Sequence, residues 1–417
     1  MLNKLQTLSS EVKQYLVITA NYWAFTLTDG ALRMLVVLYF HQLGYSPLAI
    51  AMLFLFYEFF GVVTNLIGGW LGAHIGLNRT MQIGLVLQVA ALAMLAVPDQ
   101  YLTVVLVMAA QALSGIAKDL NKMSAKSSIK ALIPKDSAQS EQQGASFEGK
   151  LFKWVALLTG SKNTLKGIGF FLGGALLTLL GFQSAMLAMA SALFLVVIAS
   201  QLLLKKDLGK AKNKPKFNDI FSKSASLNYL SAARLCLFAA RDVWFVVAIP
   251  VFFVSELAWQ HHHVGLFMAL WVIGYGIVQA LSPKLVNLST KPVHTVASQW
   301  GGILTLSVIA LMFALNSELS ATWVLVIGLL LFGAVFAINS AVHSYAIVAL
   351  AKEDGVSIDV GFYYMANAMG RLLGTIFSGL MYQQYGLMAC LVASSLLAGL
   401  AALLVTQVKV TDGAVTA

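Results

Sequence analysis

The strongest constraint on this chain is a succession of apolar runs, each about as long as a bilayer is thick. Twelve can be read, at 15–40, 47–71, 79–97, 102–131, 148–180, 184–204, 229–254, 263–282, 294–315, 321–349, 361–382 and 387–407. Roughly 20 apolar residues in a helix cross the hydrocarbon layer. Lipid offers no partner to backbone N–H and C=O groups, so each run is expected to be a helix. A water-soluble core cannot absorb this sequence, which is 59% hydrophobic and 11% charged, against about 25% charged in soluble domains. The first run is too long for a signal h-region and lacks a small-residue cleavage site, so no cleavable signal peptide is expected. Spans four and five exceed what a bilayer needs, and their inner ends are expected to project into water.

Basic residues give the orientation. The connections 41–46, 98–101, 181–183, 255–262, 316–320 and 383–386 contain no Lys or Arg, whereas the opposite segments hold 19 of the chain's 27. That asymmetry puts both termini in the cytoplasm and suits a bacterial inner-membrane protein. It also argues against nucleic acid as the partner behind the net charge of +10. Residues 205–228 hold seven lysines and read as a solvated basic linker facing anionic lipid. The chain then divides into 1–204, the linker 205–228, and 229–417. A Ser- and Gln-rich stretch, 134–148, reads as a flexible loop. Cys236 and Cys390 fall inside apolar runs, so no disulfide framework, metal site or cofactor is expected. His261, His262 and His263 sit in an outer connection without other ligands and read as a solvated turn.

The two halves repeat. A shift of 205 residues lays span five on span eleven, with Lys166 on Arg371, Gly169 on Gly374, Gly174 on Gly379 and Gly181 on Gly386. A shift of 213 lays Asp29 on Asp242, Phe40 on Phe253 and Gly61 on Gly274. Two six-helix halves related in this way resemble the major facilitator architecture: all-α, polytopic, twelve transmembrane helices, two pseudo-symmetric halves. Two worn motifs agree. GGWLGAHIGLNR (68–79) resembles G-x-L-A-D-R-x-G-R-K between spans two and three, with Ala73 in place of the usual Asp, which puts a charge-locked gate there in doubt. GFFLGG (169–174) resembles the span-five G-P-x-x-G-G, with Phe170 for Pro; close helix packing explains its glycines more simply than a part in exchange.

Apart from Arg79, Lys126, Lys130, Lys150 and Lys153, which are assigned to the inner ends, eight bases fall within spans: Arg33, Lys118, Lys122, Lys162, Lys166, Arg234, Arg241 and Arg371. Four acids do, with Glu148 set aside at an inner end: Asp29, Glu58, Asp119 and Asp242. The formal excess is therefore four positive charges. An unpaired charge near the bilayer centre costs at least about 2.5–3.5 kcal/mol, so these residues are expected to face a cavity or a partner. Arg371 is mid-span and Lys166 is its repeat mate; Lys162 lies one turn earlier on the same face. Lys118 and Lys122 share a face, with snorkelling to the inner interface as the plainer alternative. Lys126 and Lys130 continue that face and are assigned to the cytoplasmic end. Arg234 is read as snorkelling, Asp29–Arg33 as an i,i+4 ion pair, and adjacent Arg241 and Asp242 as pairing across helices. Asp29, Glu58, Asp119, Asp242 and His343 are candidate proton carriers. Glu58 ranks above Asp29 because no base shares its span, and His343 is more simply a hydrogen-bonded core residue. The expected ligand is a small anionic solute bound by Arg33, Lys118, Lys122, Lys162, Lys166, Arg241 and Arg371.

NYWAFTLTDGALRMLVVLYF (21–40), LFLFYEFFGVVTNLIGGWLG (53–72), QALSGIAKDLNKMSAKSSIKALIP (111–134), WVALLTGSKNTLKGIGFFLGG (154–174) and LSAARLCLFAARDVWFVVAIP (230–250) resemble the ArsJ family of organoarsenical efflux permeases. Residues 137–147 look like an insertion relative to that family. The resemblance implies export of 1-arseno-3-phosphoglycerate, made when glyceraldehyde-3-phosphate dehydrogenase uses arsenate in place of phosphate. The dehydrogenase would be a functional partner without a stable complex, and the transporter a monomer. The resemblance assigns no binding residues. An organophosphate or sugar-phosphate exchanger would use the same cationic clamp. A multidrug exporter of cations would favour acidic rather than basic residues, and a receptor or scaffold would not need intramembrane lysines. Enzyme motifs are absent: GIGFFLGG has neither the strand nor the acidic partner of a dinucleotide fingerprint.

Overall fold

A computed structural model of the 417-residue chain describes residues 9–45, 53–132, 141–205, 208–213, 216, 224–286, 288 and 291–409; the side chains of 55, 141–148, 261 and 262 are not among them. The regular elements among the described residues are all helices, with no strand. The helices are α1 (Ser10–Gln42), α2 (Leu55–Ile75), α3 (Leu77–Leu95), α4 (Val104–Leu132), α5 (Glu141–Leu180), α6 (Phe182–Leu203), α7 (Ala225–Phe245), α8 (Ala248–Ser255), α9 (His261–Leu285), α10 (Val293–Leu315), α11 (Ala321–Leu350) and α12 (Val356–Thr406).

Two local breaks bring this set into line with twelve spans. α7 and α8 are one apolar path interrupted at 246–247. Pro250 has no N–H to give the Val246 carbonyl, and the Ser378 hydroxyl accepts from the Ala248 N–H at 3.1 Å. α12 is two helices meeting at Gly386, whose φ of 73° lies in the left-handed region. Its repeat mate Gly181 has φ 74° and separates α5 from α6. Nine helices among the described residues are long and apolar enough to cross a membrane. Large apolar side chains, including Leu179, Leu202, Phe313 and Trp323, are mostly exposed, as a lipid-facing surface requires.

α4 and α5 have 29 and 40 residues. At 1.5 Å per residue α5 is about 60 Å long, twice the hydrocarbon thickness. The stretch 134–148 is not wholly a loop: residues from Glu141 are helical, in keeping with the helix propensity of Glu, Gln and Ala. Residues 134–140 lie outside the described set, as do 47–52 of span two, linker lysines 206, 214 and 223, and both chain ends.

The chain packs into two compact units. Unit one comprises Met1–Gln139, Ser161–Phe221 and Lys352–Met365; unit two comprises Ser140–Gly160, Ser222–Ala351 and Ala366–Ala417. In unit one α5 lies directly on α1, because a Cβ on Gly30 or Gly169 would strike the opposing backbone. In unit two Gly374, the repeat mate of Gly169, lets α12 meet α7 at Ala239 and Asp242.

Part of the central linker is a strap on unit one. Leu208 O accepts from Leu77 N–H at 2.8 Å, and Ala211 N–H donates to Ala73 O at 2.9 Å. Asp354 accepts from the N–H groups of Lys212 (2.8 Å) and Asn213 (3.3 Å). The strap covers the α2–α3 turn where Ala73 replaces the motif's Asp. Asp354→Ala is expected to raise amide hydrogen exchange across 208–213 while leaving exchange in α2 and α3 unchanged.

Candidate functional site

In unit one, α1, α2 and α4 bring four charged residues around Tyr57: Asp29, Arg33, Glu58 and Lys118. Arg33 Nη2 lies 3.1 Å from Glu58 Oε1. Its guanidinium carbon and Lys118 Nζ each lie 3.8 Å from the Tyr57 ring centroid. The Tyr57 hydroxyl donates to Asp29 at 2.6 Å. Asp119 serves two lysines, Lys122 at 2.5 Å and Lys118 at 3.8 Å. Lys162 and Lys166 lie on α5, both half-buried. Lys166 is three residues before the close-approach Gly169, and its Nζ is 6.0 Å from the Phe170 ring centroid.

In unit two Asp242 plays the part that Asp119 plays in unit one. Arg241 Nε lies 2.5 Å from Oδ1, and Arg371 Nε lies 3.4 Å from Oδ2. Gly374 stands against Asp242, so Arg371, one turn earlier on α12, is within reach. Arg241 also lies over the rings of Phe238 and Phe336.

Three sequence readings change. Asp29 and Arg33 are not each other's hydrogen-bond partner: Arg33 crosses to Glu58 and Asp29 takes a tyrosine hydroxyl. The ranking of Glu58 over Asp29 as proton carrier therefore loses its basis, since the relevant base arrives from a neighbouring helix. Arg241 and Asp242 bond directly; adjacent helical Cβ atoms diverge, but the three-carbon arginine stem folds back across the gap. Arg234 does not snorkel. It is 2% exposed, its Nε donates to Asn367 at 2.9 Å, and its Nη1 donates to Ser340.

His343 is 1% exposed on α11, and its Nδ1 has no hydrogen-bond partner. Cys236 and Cys390 are buried free thiols. His263 is exposed at the start of α9. Among the described residues no group of His, Cys, Asp or Glu is placed to hold a metal.

Beside Asp119 and Asp242 the more accessible groups are basic, whereas in the Arg33–Glu58 pair the acid is the more exposed, at 32% against 19%. Asp119 and Asp242 are 1% and 0% exposed, against 13%, 14%, 19%, 15% and 30% for Lys118, Lys122, Arg33, Arg241 and Arg371. Each shared carboxylate is more enclosed than its two cations. Such a surface suits an oxyanion, held by guanidinium forks and ammonium point charges.

The family model of the Major Facilitator Superfamily matches residues 16–254, more than half of the chain. The chain belongs to the major facilitator superfamily. It is therefore an integral membrane protein of a transporter family rather than an enzyme family. Solved structures of similar fold include the human organic anion transporter MFSD10 (TETRAN), 16% identical, covering 95% of this chain and 100% of that one, with a TM-score of 0.75. A bacterial homologue of the iron transporter ferroportin, in an outward-facing state, is 13% identical over 96% and 99% of the two chains, TM-score 0.71. The E. coli fucose:proton symporter FucP is 13% identical over 95% and 100%, TM-score 0.70. At these identities the likeness is one of fold. No curated protein matches the sequence.

Removing Asp242 would leave two guanidinium groups on one spot without their carboxylate. Asp242→Ala is expected to cost on the order of 2 kcal/mol, after discounting Arg371 for its exposure. The readout is a lower Tm in detergent, and a second change, Arg371→Gln, is expected to recover part of the loss.

Proposed function

We propose that this chain exports an anionic organoarsenical, 1-arseno-3-phosphoglycerate, across the bacterial inner membrane and thereby confers arsenate resistance. The substrate identity rests on the sequence segments that resemble ArsJ permeases. The chemistry rests on one observation: Asp119 and Asp242 are buried carboxylates, each shared by two more accessible cations. The proposed cargo carries a phosphate of roughly −1.5 to −2 charge at neutral pH at one end and an anionic acyl arsenate group at the other. A solute of that kind needs several cationic contacts at once, and neutral or cationic cargo gains nothing from them.

In this reading Arg33, Lys118, Lys122, Lys162 and Lys166 are the binding residues of unit one, and Arg241 and Arg371 those of unit two. Asp119 and Asp242 hold their cations in place between transport cycles, and cargo oxygens take over part of that contact on binding. Transport by alternating access is part of the proposal, supported by membership of this superfamily. An organophosphate or sugar-phosphate exchanger would use the same donors, so substrate choice decides between the two.

The test is arsenate tolerance in arsenic-sensitive cells, with and without co-expressed glyceraldehyde-3-phosphate dehydrogenase. Protection only when both proteins are present is expected; tolerance unaffected by the dehydrogenase would reject the arsenical as cargo. Lys166→Gln and Arg371→Gln are each expected to abolish protection while the protein stays in the membrane fraction. Full protection by both would remove them from the site.

A further inference from the structure

The ring that carries Arg33 and Lys118 is itself held at both ends. Tyr57 is 0% exposed. At its backbone, α2 meets α4 with no side chain between them: a Cβ on Gly115 would lie 2.6 Å from the Tyr57 carbonyl oxygen. One turn further along each helix, a Cβ on Gly61 would lie 2.9 Å from Asp119 Oδ2. Glycines and backbone therefore set this crossing. At the far end of the side chain, the hydroxyl donates to the buried Asp29 at 2.6 Å. All of these residues belong to unit one.

The two bases on the ring come from different helices, Arg33 from α1 and Lys118 from α4, and both lie 3.8 Å from its centroid. Each also has an acid. Arg33 meets Glu58 at 3.1 Å, and Lys118 meets Asp119 at 3.8 Å. An acid and a ring act differently on a base. A carboxylate attracts it and offsets its charge. An aromatic face attracts it through a quadrupole and leaves the charge whole. The ring also narrows where a long stem can go. Arg and Lys side chains have wide rotamer freedom, and an anion that binds them must otherwise order them itself. A leucine at position 57 would pack against α4 but would supply neither the face nor the hydroxyl tie.

We propose that Tyr57 is a positioning residue for anion binding. Its ring seats the Arg33 guanidinium and the Lys118 ammonium together, before the solute arrives, as a pair that addresses one phosphate-bearing solute. The role belongs to the ring face rather than to the volume of the side chain. It rests on the reading of the protein as an anion transporter.

The test uses the full-length transporter in lipid nanodiscs, titrated with 3-phosphoglycerate. Tyr57→Leu is expected to weaken binding about tenfold, and Tyr57→Phe, which keeps the ring, by no more than about twofold. The decisive series places phenylalanine with one, two and three ring fluorines at position 57. Fluorine draws electrons from the ring face and barely changes its size, so binding is expected to weaken with each fluorine added. A side chain that only packs would give one affinity across the series, and that result overturns the role. Because the series keeps the shape of the ring, it stays decisive should Tyr57→Leu fail to fold. A loss in Tyr57→Phe as large as that in Tyr57→Leu would assign the effect to the hydroxyl and overturn the part given to the ring. Either result leaves the anion reading standing so long as the unaltered transporter binds 3-phosphoglycerate. An unaltered transporter that does not bind it overturns that reading and the role of Tyr57 together.

Discussion

Two buried carboxylates, each shared by two cations, organise the polar interior of this protein. In a medium of low effective dielectric a lone ammonium or guanidinium is costly, and so is a lone carboxylate. Pairing one with one would cancel the charge and leave nothing for a solute. Sharing one between two holds both bases in position. Asp119 does this for Lys118 and Lys122, and Asp242 does it for Arg241 and Arg371. Asp119 and Asp242 are enclosed, and the bases that share them are the more accessible partners.

That arrangement depends on how closely the helices approach. Gly30 and Gly169 bring α5 onto α1, and Gly374 brings α12 onto α7 beside Asp242. Lys166 and Arg371 each precede such a contact by one turn, so the same small-residue device positions a base in each unit. A larger side chain at Gly374 would push α12 away from α7 and take Arg371 out of reach of its carboxylate. Packing and charge placement are here one constraint.

The spans, the repeat and the identities of the buried charges were legible in the sequence because each follows from local composition or fixed spacing. Gly181 and Gly386 matched as repeat mates, and both prove to be left-handed turns between helices. The partners were not legible. Glu58 looked isolated because its base comes from α1. Lys126 looked solvated because the residue that covers it, Tyr364, is 238 positions away. Arg234 looked peripheral because its distance from the span end is set by where α7 begins, at Ala225, rather than by hydropathy. Periodicity reports which face a residue occupies; it carries no record of what a distant segment lays against that face.

The strap on the α2–α3 turn changes what the linker is. The sequence shows a lysine-rich linker of 24 residues, 205–228, between the halves. The hydrogen bonds to Ala73, Leu77 and Asp354 fasten the linker as far as Asn213, and α7 starts at Ala225. Eleven residues, 214–224, separate those anchors, and a chain of that length reaches at most about 40 Å however it is arranged. The connection is a leash with a fixed limit, and its length sets a ceiling on how far Asn213 and Ala225 can part during a transport cycle.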